Sequence, residues 1–185
     1  MQGTDVNAAR AEFSERLGVE TYPTVIFFKN NRILWTSSGS TSMEHDMKEG
    51  VLYYGDSMGG VKGSEYVNVV HTRSELDSVI AGSDPDELNI LMITAPFCSP
   101  CIKVYPSVVT LAMNFKGVVS FARLGANDSP ETNAMFESLR ILEAPTFITF
   151  KDGVEVARIV TGNKGALIGH ILEVVSKHGI AIPTR

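Results

Sequence analysis

Cys98 and Cys101 are the two cysteines of this 185-residue chain, and Ser99 and Pro100 lie between them in the segment APFCSPC. The apolar residues 88–94 predict a strand before this segment, and Pro100 is typical of the first turn of a helix. Cys98 is therefore expected at a helix start, where free backbone N–H groups and the helix dipole stabilise a thiolate. Because the thiolate is the nucleophile, the pattern predicts a redox pair with Cys98 attacking and Cys101, behind it, resolving.

Two other uses of such a pair are a structural disulfide and half of a metal site. A disulfide between these cysteines would close too short a loop to stabilise the fold much. A metal site needs further ligands, and the four histidines are scattered without ligand spacing. We therefore prefer the redox pair, and we predict neither a metal nor a bound cofactor, because the cysteines themselves carry the electrons.

Composition excludes several classes of partner. The net charge is −5 and the pI is near 5.4, without a run of basic residues, which argues against nucleic acid and anionic membranes. No apolar stretch reaches membrane-spanning length. The first residues, MQGTDVNAAR, have the pattern of neither a signal peptide nor a transit peptide. We expect a mildly acidic α/β protein.

A repeat organises the chain. Residues 17–31 and 139–153 align without a gap at a constant offset of 122 residues. The identical pairs are Leu17/Leu139, Pro23/Pro145, Thr24/Thr146, Ile26/Ile148, Phe28/Phe150 and Lys29/Lys151. Each copy follows a helical pattern and continues into a turn, a strand, a glycine and an amphipathic segment, so one supersecondary unit occurs twice.

Only the second copy is preceded by a full set of elements. The expected elements are a strand at 66–71, a helix capped by Thr72 with Glu75, a strand at 88–94, a helix from about 98 to 115 interrupted at Pro106, a strand at 118–124, a helix from Ser129-Pro130, and a hairpin turning at Asp152-Gly153. The order β-α-β-α-β-α-β-β-α predicts an α/β fold with a central mixed sheet flanked by helices.

The domain prediction follows from this difference. Residues 1–55 are expected to form half a module without cysteines, residues 56–65 a linker, and residues 66–185 a complete domain. The strand at 24–30 would lack its central partner in a half module, and an apolar strand with an open edge tends to pair. Docking on the second module, pairing with another copy of the chain and loose ordering are the three possible outcomes. Of these we favour self-association, which would give homo-oligomers through the half module.

The second module resembles thioredoxin. The motifs that carry the resemblance are Cys-x-Pro-Cys at a strand-to-helix turn, Pro106 five residues after the second cysteine, and APT (144–146) before the hairpin. The chain is also similar to the tandem thioredoxin-like drought-stress proteins of chloroplasts, through GVLYYGD, CIKVYPSV, VSFARL and GNKGALIGHIL. In that family two modules are joined and only the second carries the cysteines. This chain resembles the arrangement with the start of the first module absent.

The resemblance implies a substrate groove beside the cysteines, formed by Phe97, Ser99, Pro100, Ala144, Pro145 and Gly162. In thioredoxins the proline that corresponds to Pro145 follows a cis bond and faces the cysteines. The residue before it, which corresponds to Ala144, offers backbone groups to an extended substrate. Gly162 would keep one wall of this groove low. Tyr22-Pro23 would repeat the cis bond in the half module.

Several residues depart from the family pattern. Phe97 replaces the usual tryptophan, and Ser99 replaces glycine. Met92 occupies the position of a buried aspartate that accepts the proton of the resolving thiol, so Cys101 lacks its obvious general base. Arg123 has a basic counterpart beside the thioredoxin site, and both a salt bridge and electrostatic tuning of the site are open to it.

The function implied is a thiol–disulfide oxidoreductase that reduces protein disulfides. By resemblance its electron acceptors are a peroxiredoxin and a methionine sulfoxide reductase, and its location is the chloroplast stroma; composition alone would indicate the cytoplasm. A weakly active or inactive thioredoxin-like binding module is the alternative, and Met92 favours it. The presence of both Cys98 and Cys101 favours the enzyme.

Overall fold

The structure is a computed structural model that describes residues 6–29, 31–39, 43–55, 63–126 and 128–182. It contains two compact units, Met1–Lys48 and Glu49–Arg185. The division falls inside a helix, α2 (Met43–Tyr54), so the last residues of that helix belong to the second unit.

The first unit contains α1 (Val6–Leu17), β1 (Thr24–Lys29), β2 (Arg32–Ser38) and the beginning of α2. The two strands form an antiparallel pair, and among the described residues neither strand has another partner. Trp35 is buried and stacks on Phe27 across the pair, with 5.6 Å between ring centroids. The Tyr22–Pro23 bond is cis, as the resemblance implies.

The second unit carries the remaining elements. They are a short 3₁₀ turn (Ser64–Tyr66), β3 (Val67–Val70), α3 (Arg73–Ala81), β4 (Leu88–Thr94), α4 (Ser99–Asn114), β5 (Val119–Gly125), α5 (Pro130–Ser138), β6 (Thr146–Lys151), β7 (Val154–Val160) and α6 (Lys164–Lys177). The sheet order is β3-β5-β4-β6-β7, with β3, β5 and β4 parallel and β6 and β7 antiparallel. The predicted mixed α/β fold is confirmed.

β4 lies at the centre of this sheet, and all seven of its residues are buried. A strand covered on both faces needs a continuous apolar run, which LNILMIT supplies. Leu91 and Ile93 pack with Leu76 of α3 and Met135 of α5 on one face. Met92, which lies between them, therefore points to the opposite face.

Local sequence signals set the element boundaries. Thr72 and Ser129 are the N-caps of α3 and α5, and each makes the reciprocal hydrogen bonds of a capping box. Asp152 and Gly153 both have positive φ in the β6–β7 turn, as a two-residue hairpin turn requires.

The predicted interruption at Pro106 is wrong, because α4 continues through this proline as one helix. Proline lacks the N–H that would bond the carbonyl of Ile102. The neighbouring Tyr105 and Val108 are buried, so packing on both sides of the proline offsets the lost hydrogen bond.

Within the described parts of the chain, no helix has both the length and the apolar character that crossing a membrane requires.

Candidate functional site

The cysteine pair lies at the N-terminus of α4, as the sequence predicts. Cys98 is the N-cap residue, and its Sγ accepts a hydrogen bond from the backbone N–H of Cys101 at 3.2 Å. The two sulfurs form a disulfide, and the Cα atoms are 5.2 Å apart. Pro100 lies in the first turn, where its missing N–H costs no hydrogen bond.

The two sulfurs differ in their access to solvent. Cys98 is partly buried, whereas Cys101 has 0% exposure and lies beneath the first turn of the helix. A free N–H group pointing at Cys98 stabilises its anion, and burial disfavours an anion at Cys101. The arrangement can therefore support attack by one thiol and resolution by the other.

Phe97 precedes the pair and is 66% exposed. Its φ of +58° lies in the left-handed region, which is unfavourable for an aromatic residue. Backbone strain of the kind seen at Phe97 occurs at functional sites that the surrounding structure holds in place. The next two residues after Cys98 differ in exposure: Ser99 is partly buried and Pro100 is exposed.

The cis Ala144–Pro145 bond directly precedes β6. Thr146, the next residue, pairs with Ile93 near the end of β4. The same end of β4 leads through three residues to Cys98, so the loop and the cysteines lie at one end of the sheet. The backbone carbonyl of Pro145 accepts a hydrogen bond from the N–H of Thr161 at 3.2 Å, and Ala144 precedes the first paired residue of β6, Thr146.

Gly162 lies against the first turn of α4. A Cβ atom built on Gly162 would be 2.9 Å from the Cβ of Pro100, which is closer than side chains normally approach. The absence of a side chain at this position is therefore what allows the loop after β7 to contact the helix that carries the cysteines.

Met92 is fully buried and faces α4. It pairs with Arg123 of β5 and with Phe147 of β6, and directly paired residues share a face of the sheet. Arg123 contacts Tyr105 of α4 on that face. A thioether, which accepts protons very poorly, thus occupies the position from which a carboxylate would face the cysteine helix.

Arg123 is held by aromatic rings. Its guanidinium carbon lies 4.8 Å from the ring centroid of Tyr53 and 4.9 Å from that of Tyr105. Its Nη1 donates to the backbone carbonyl of Tyr53 at 2.8 Å. The sequence left two roles open for Arg123, a salt bridge and electrostatic tuning of the site. Among the described residues, no carboxylate lies within salt-bridge distance of Arg123.

Burial raises the pKa values of the tyrosines around Arg123. The pKa of Tyr54 is raised to about 12, and those of Tyr53 and Tyr105 are also raised, in each case chiefly by desolvation. These rings therefore stay neutral at physiological pH, and their faces attract the cation.

Tyr53 was not predicted from the sequence as part of the site, because it lies before the complete module. The aromatic pair in GVLYYGD was the available signal.

Among the described residues, no three histidine, cysteine, aspartate or glutamate side chains are grouped so that they could hold a metal ion.

Comparison with known proteins points to one family. The thioredoxin family model matches residues 67–173. The thioredoxin-like protein CDSP32, chloroplastic, of Arabidopsis thaliana is 31% identical over 163 residues, which cover 87% of this chain and 51% of that protein. Thioredoxin of Staphylococcus aureus is 31% identical over 107 residues, which cover 58% of this chain and 93% of that protein.

Solved structures agree with this match. A redox protein from Chlamydomonas reinhardtii superimposes with a TM-score of 0.57 and 27% identity, over 66% of this chain and 39% of that one. The chain spans about half the length of the Arabidopsis relative.

The contact between Gly162 and Pro100 gives a testable prediction. We expect Gly162→Ala to destabilise the oxidised protein by about 1–3 kcal/mol, because the added methyl group pushes the first turn of α4. Gly169→Ala in α6 is the matched control, since a Cβ there meets nothing within 4 Å. That change should stabilise the protein by about 0.5–1 kcal/mol. Denaturant unfolding measures both, and equal effects of the two variants would contradict the packing argument.

Proposed function

Because the chain belongs to the thioredoxin family, we propose that it is a thiol–disulfide oxidoreductase that reduces disulfides of client proteins through Cys98 and Cys101. The observation that carries this proposal is the asymmetric pair at the start of α4, in which Cys98 is partly buried and Cys101 is fully buried. No bound cofactor is needed, since the pair itself stores two electrons.

The reaction proceeds in two exchanges. The Cys98 thiolate attacks one sulfur of the client disulfide, forms a mixed disulfide, and expels the first client thiolate, which takes up a proton. Cys101 then loses its proton, attacks Cys98, and expels the second client thiolate. The client gains two electrons, and the Cys98–Cys101 disulfide that the structure contains is the product.

The client is proposed to lie as an extended segment beside the cis-proline loop. Ala144 offers its backbone groups to such a segment, in the manner of an added strand. Phe97 and Leu142 are exposed apolar side chains, 66% and 94% respectively, and Leu142 lies two residues before Ala144. We propose that they contact apolar residues of the client, while Ser99, Pro100, Pro145 and Gly162 complete the groove.

A peroxiredoxin and a methionine sulfoxide reductase are the proposed electron acceptors, since both form disulfides that a dithiol can reduce. The Arabidopsis relative is named as chloroplastic, and this supports a proposal of the chloroplast stroma for this chain. Neither nucleic acid nor a membrane is a proposed partner, given the acidic composition.

A binding module with negligible turnover is the second candidate. The observation that favours it is Met92, which is fully buried on the face toward α4. Without a carboxylate there, deprotonation of Cys101 is expected to be slow, and a client would stay attached to Cys98 for longer.

Insulin reduction with a supplied reductant separates these two functions. The enzyme should accelerate precipitation of the insulin chains, and Cys98→Ser should abolish the acceleration because no nucleophile remains. Cys101→Ser should instead accumulate a mixed disulfide with a disulfide peptide, detectable as an increase in mass. Ser74→Ala, at an exposed position in α3 away from the groove, keeps both sulfurs and should retain activity.

Two results would contradict the assignment. Absence of catalysed reduction in the unmodified chain would leave only the binding module. Accumulation of the mixed disulfide in Cys98→Ser rather than Cys101→Ser would exchange the roles of the two cysteines.

Met92→Asp tests the missing base. We expect release of the mixed disulfide to become about tenfold faster or more, because the carboxylate would accept the Cys101 proton. The same change should lower stability, since it buries an ionisable group. Met92→Leu is the control that changes packing without adding a base. Single-turnover kinetics with a disulfide peptide measures the release, and an unchanged rate in Met92→Asp would show that solvent already accepts the proton.

Self-association through the first unit is a further part of the proposal. The β1–β2 pair has open outer edges among the described residues, and Phe28 and Tyr22 are exposed. We expect the whole chain to form dimers or larger species as its concentration rises, and Phe28→Lys to weaken them. Sedimentation velocity across a concentration series measures this, and a monomer at every concentration would contradict it.

A further inference from the structure

We propose that Tyr53 is a positioning residue for the redox pair, holding the end of β4 and the second turn of α4 in register. It acts through a cluster that consists of Tyr53, Thr94, Tyr105 and Arg123, which we call the Tyr53 cluster. This inference rests on the proposed redox function. Tyr53 lies outside residues 67–173, which the family model matches, but within the second compact unit.

The first contact fixes Tyr53 to the end of β4. The side chain of Thr94, the last residue of this strand, lies close enough to the hydroxyl of Tyr53 to act on its pKa, which it lowers against the larger effect of burial. The Thr94 hydroxyl donates to the carbonyl of Leu124 at 3.3 Å. Residues 95–97 alone separate Thr94 from Cys98.

The second contact fixes Tyr53 to α4. Its ring meets that of Tyr105 edge to face, with 5.4 Å between centroids and 89° between planes. Tyr105 lies four residues after Cys101, so both side chains occupy the same buried face of the helix. Tyr53 therefore touches both of the elements that hold the cysteines.

The third contact locks this arrangement. The Arg123 guanidinium lies over both tyrosine rings and donates to the Tyr53 carbonyl at 2.8 Å. Its strand partner is Met92, which supplies no charge. The neutral ring faces and the carbonyl stabilise the cation instead, so Arg123 depends on the position of Tyr53.

Positioning has a measurable consequence for disulfide formation. The equilibrium constant for closing the Cys98–Cys101 disulfide reports the effective concentration of one thiol at the other. That concentration depends on how α4 lies against the end of β4. A residue that stabilises the oxidised and reduced folds equally leaves this constant unchanged, whereas a residue that holds the two thiols together raises it.

The test is equilibration of the full chain with glutathione redox buffers, with the oxidised fraction read by thiol trapping. We expect Tyr53→Leu to lower the equilibrium constant by about fivefold or more, because the thiols are held less closely. Tyr53→Phe keeps the ring and loses the Thr94 contact, so it should lower the constant by a smaller factor. Leu76→Ala, in the core on the opposite face of the sheet, is the control: it lowers stability but should leave the constant unchanged.

An unchanged constant in Tyr53→Leu would overturn the inference and leave Tyr53 a packing residue. If Tyr53→Leu does not fold, the Tyr53→Phe and Thr94→Val variants decide: each should lower the constant, and the double variant should lower it no further than the larger single effect. Fully additive or absent effects on the constant would overturn the proposal. Failure of the unmodified chain to form the disulfide reversibly would contradict the proposed redox function instead.

Discussion

The start of α4 on the end of β4 is the junction on which the rest of the site depends. The backbone N–H of Cys101 in the first helical turn donates to the sulfur of Cys98, and the same turn places Cys101 under it, away from solvent. β4 can hold this junction because it is central in the sheet and buried along its whole length. The helix dipole and the burial act in opposite directions on two sulfurs that are one turn apart, and on the proposed mechanism this gives the two thiols different roles.

On the face of β4 toward α4, Met92 occupies the position at which thioredoxins, by the resemblance, carry a buried carboxylate. Met92 packs without a hydrogen-bonding requirement, which avoids the cost of an unpaired polar group. Arg123, which pairs with Met92 across the two strands, has no charge on Met92 to interact with. Tyr53 and Tyr105 supply ring faces and a carbonyl for Arg123, so aromatic contacts that include a residue of α2 stabilise this cation.

Local signals explain why the order of strands and helices, and the position of the cysteine pair at a helix start, could be predicted from the sequence. Hydrophobic patterns, the Thr72 and Ser129 caps and the Asp152-Gly153 turn act within a few residues, so the order of strands and helices followed from them. The continuity of α4 at Pro106 could not be predicted, because it depends on packing against the sheet. The contacts of Tyr53 with Thr94 and Tyr105 join residues far apart in the chain, and no spacing rule in one sequence indicates them.

The most direct test of the account is an NMR titration of the reduced protein, with ¹³C labels at the Cβ atoms of both cysteines. The helix start should lower the pKa of the Cys98 thiol below the ordinary cysteine value of about 8.5, and burial should raise that of Cys101 above it. Two thiols that titrate together near the ordinary value, or a lower pKa at Cys101 than at Cys98, would contradict the division of roles between them.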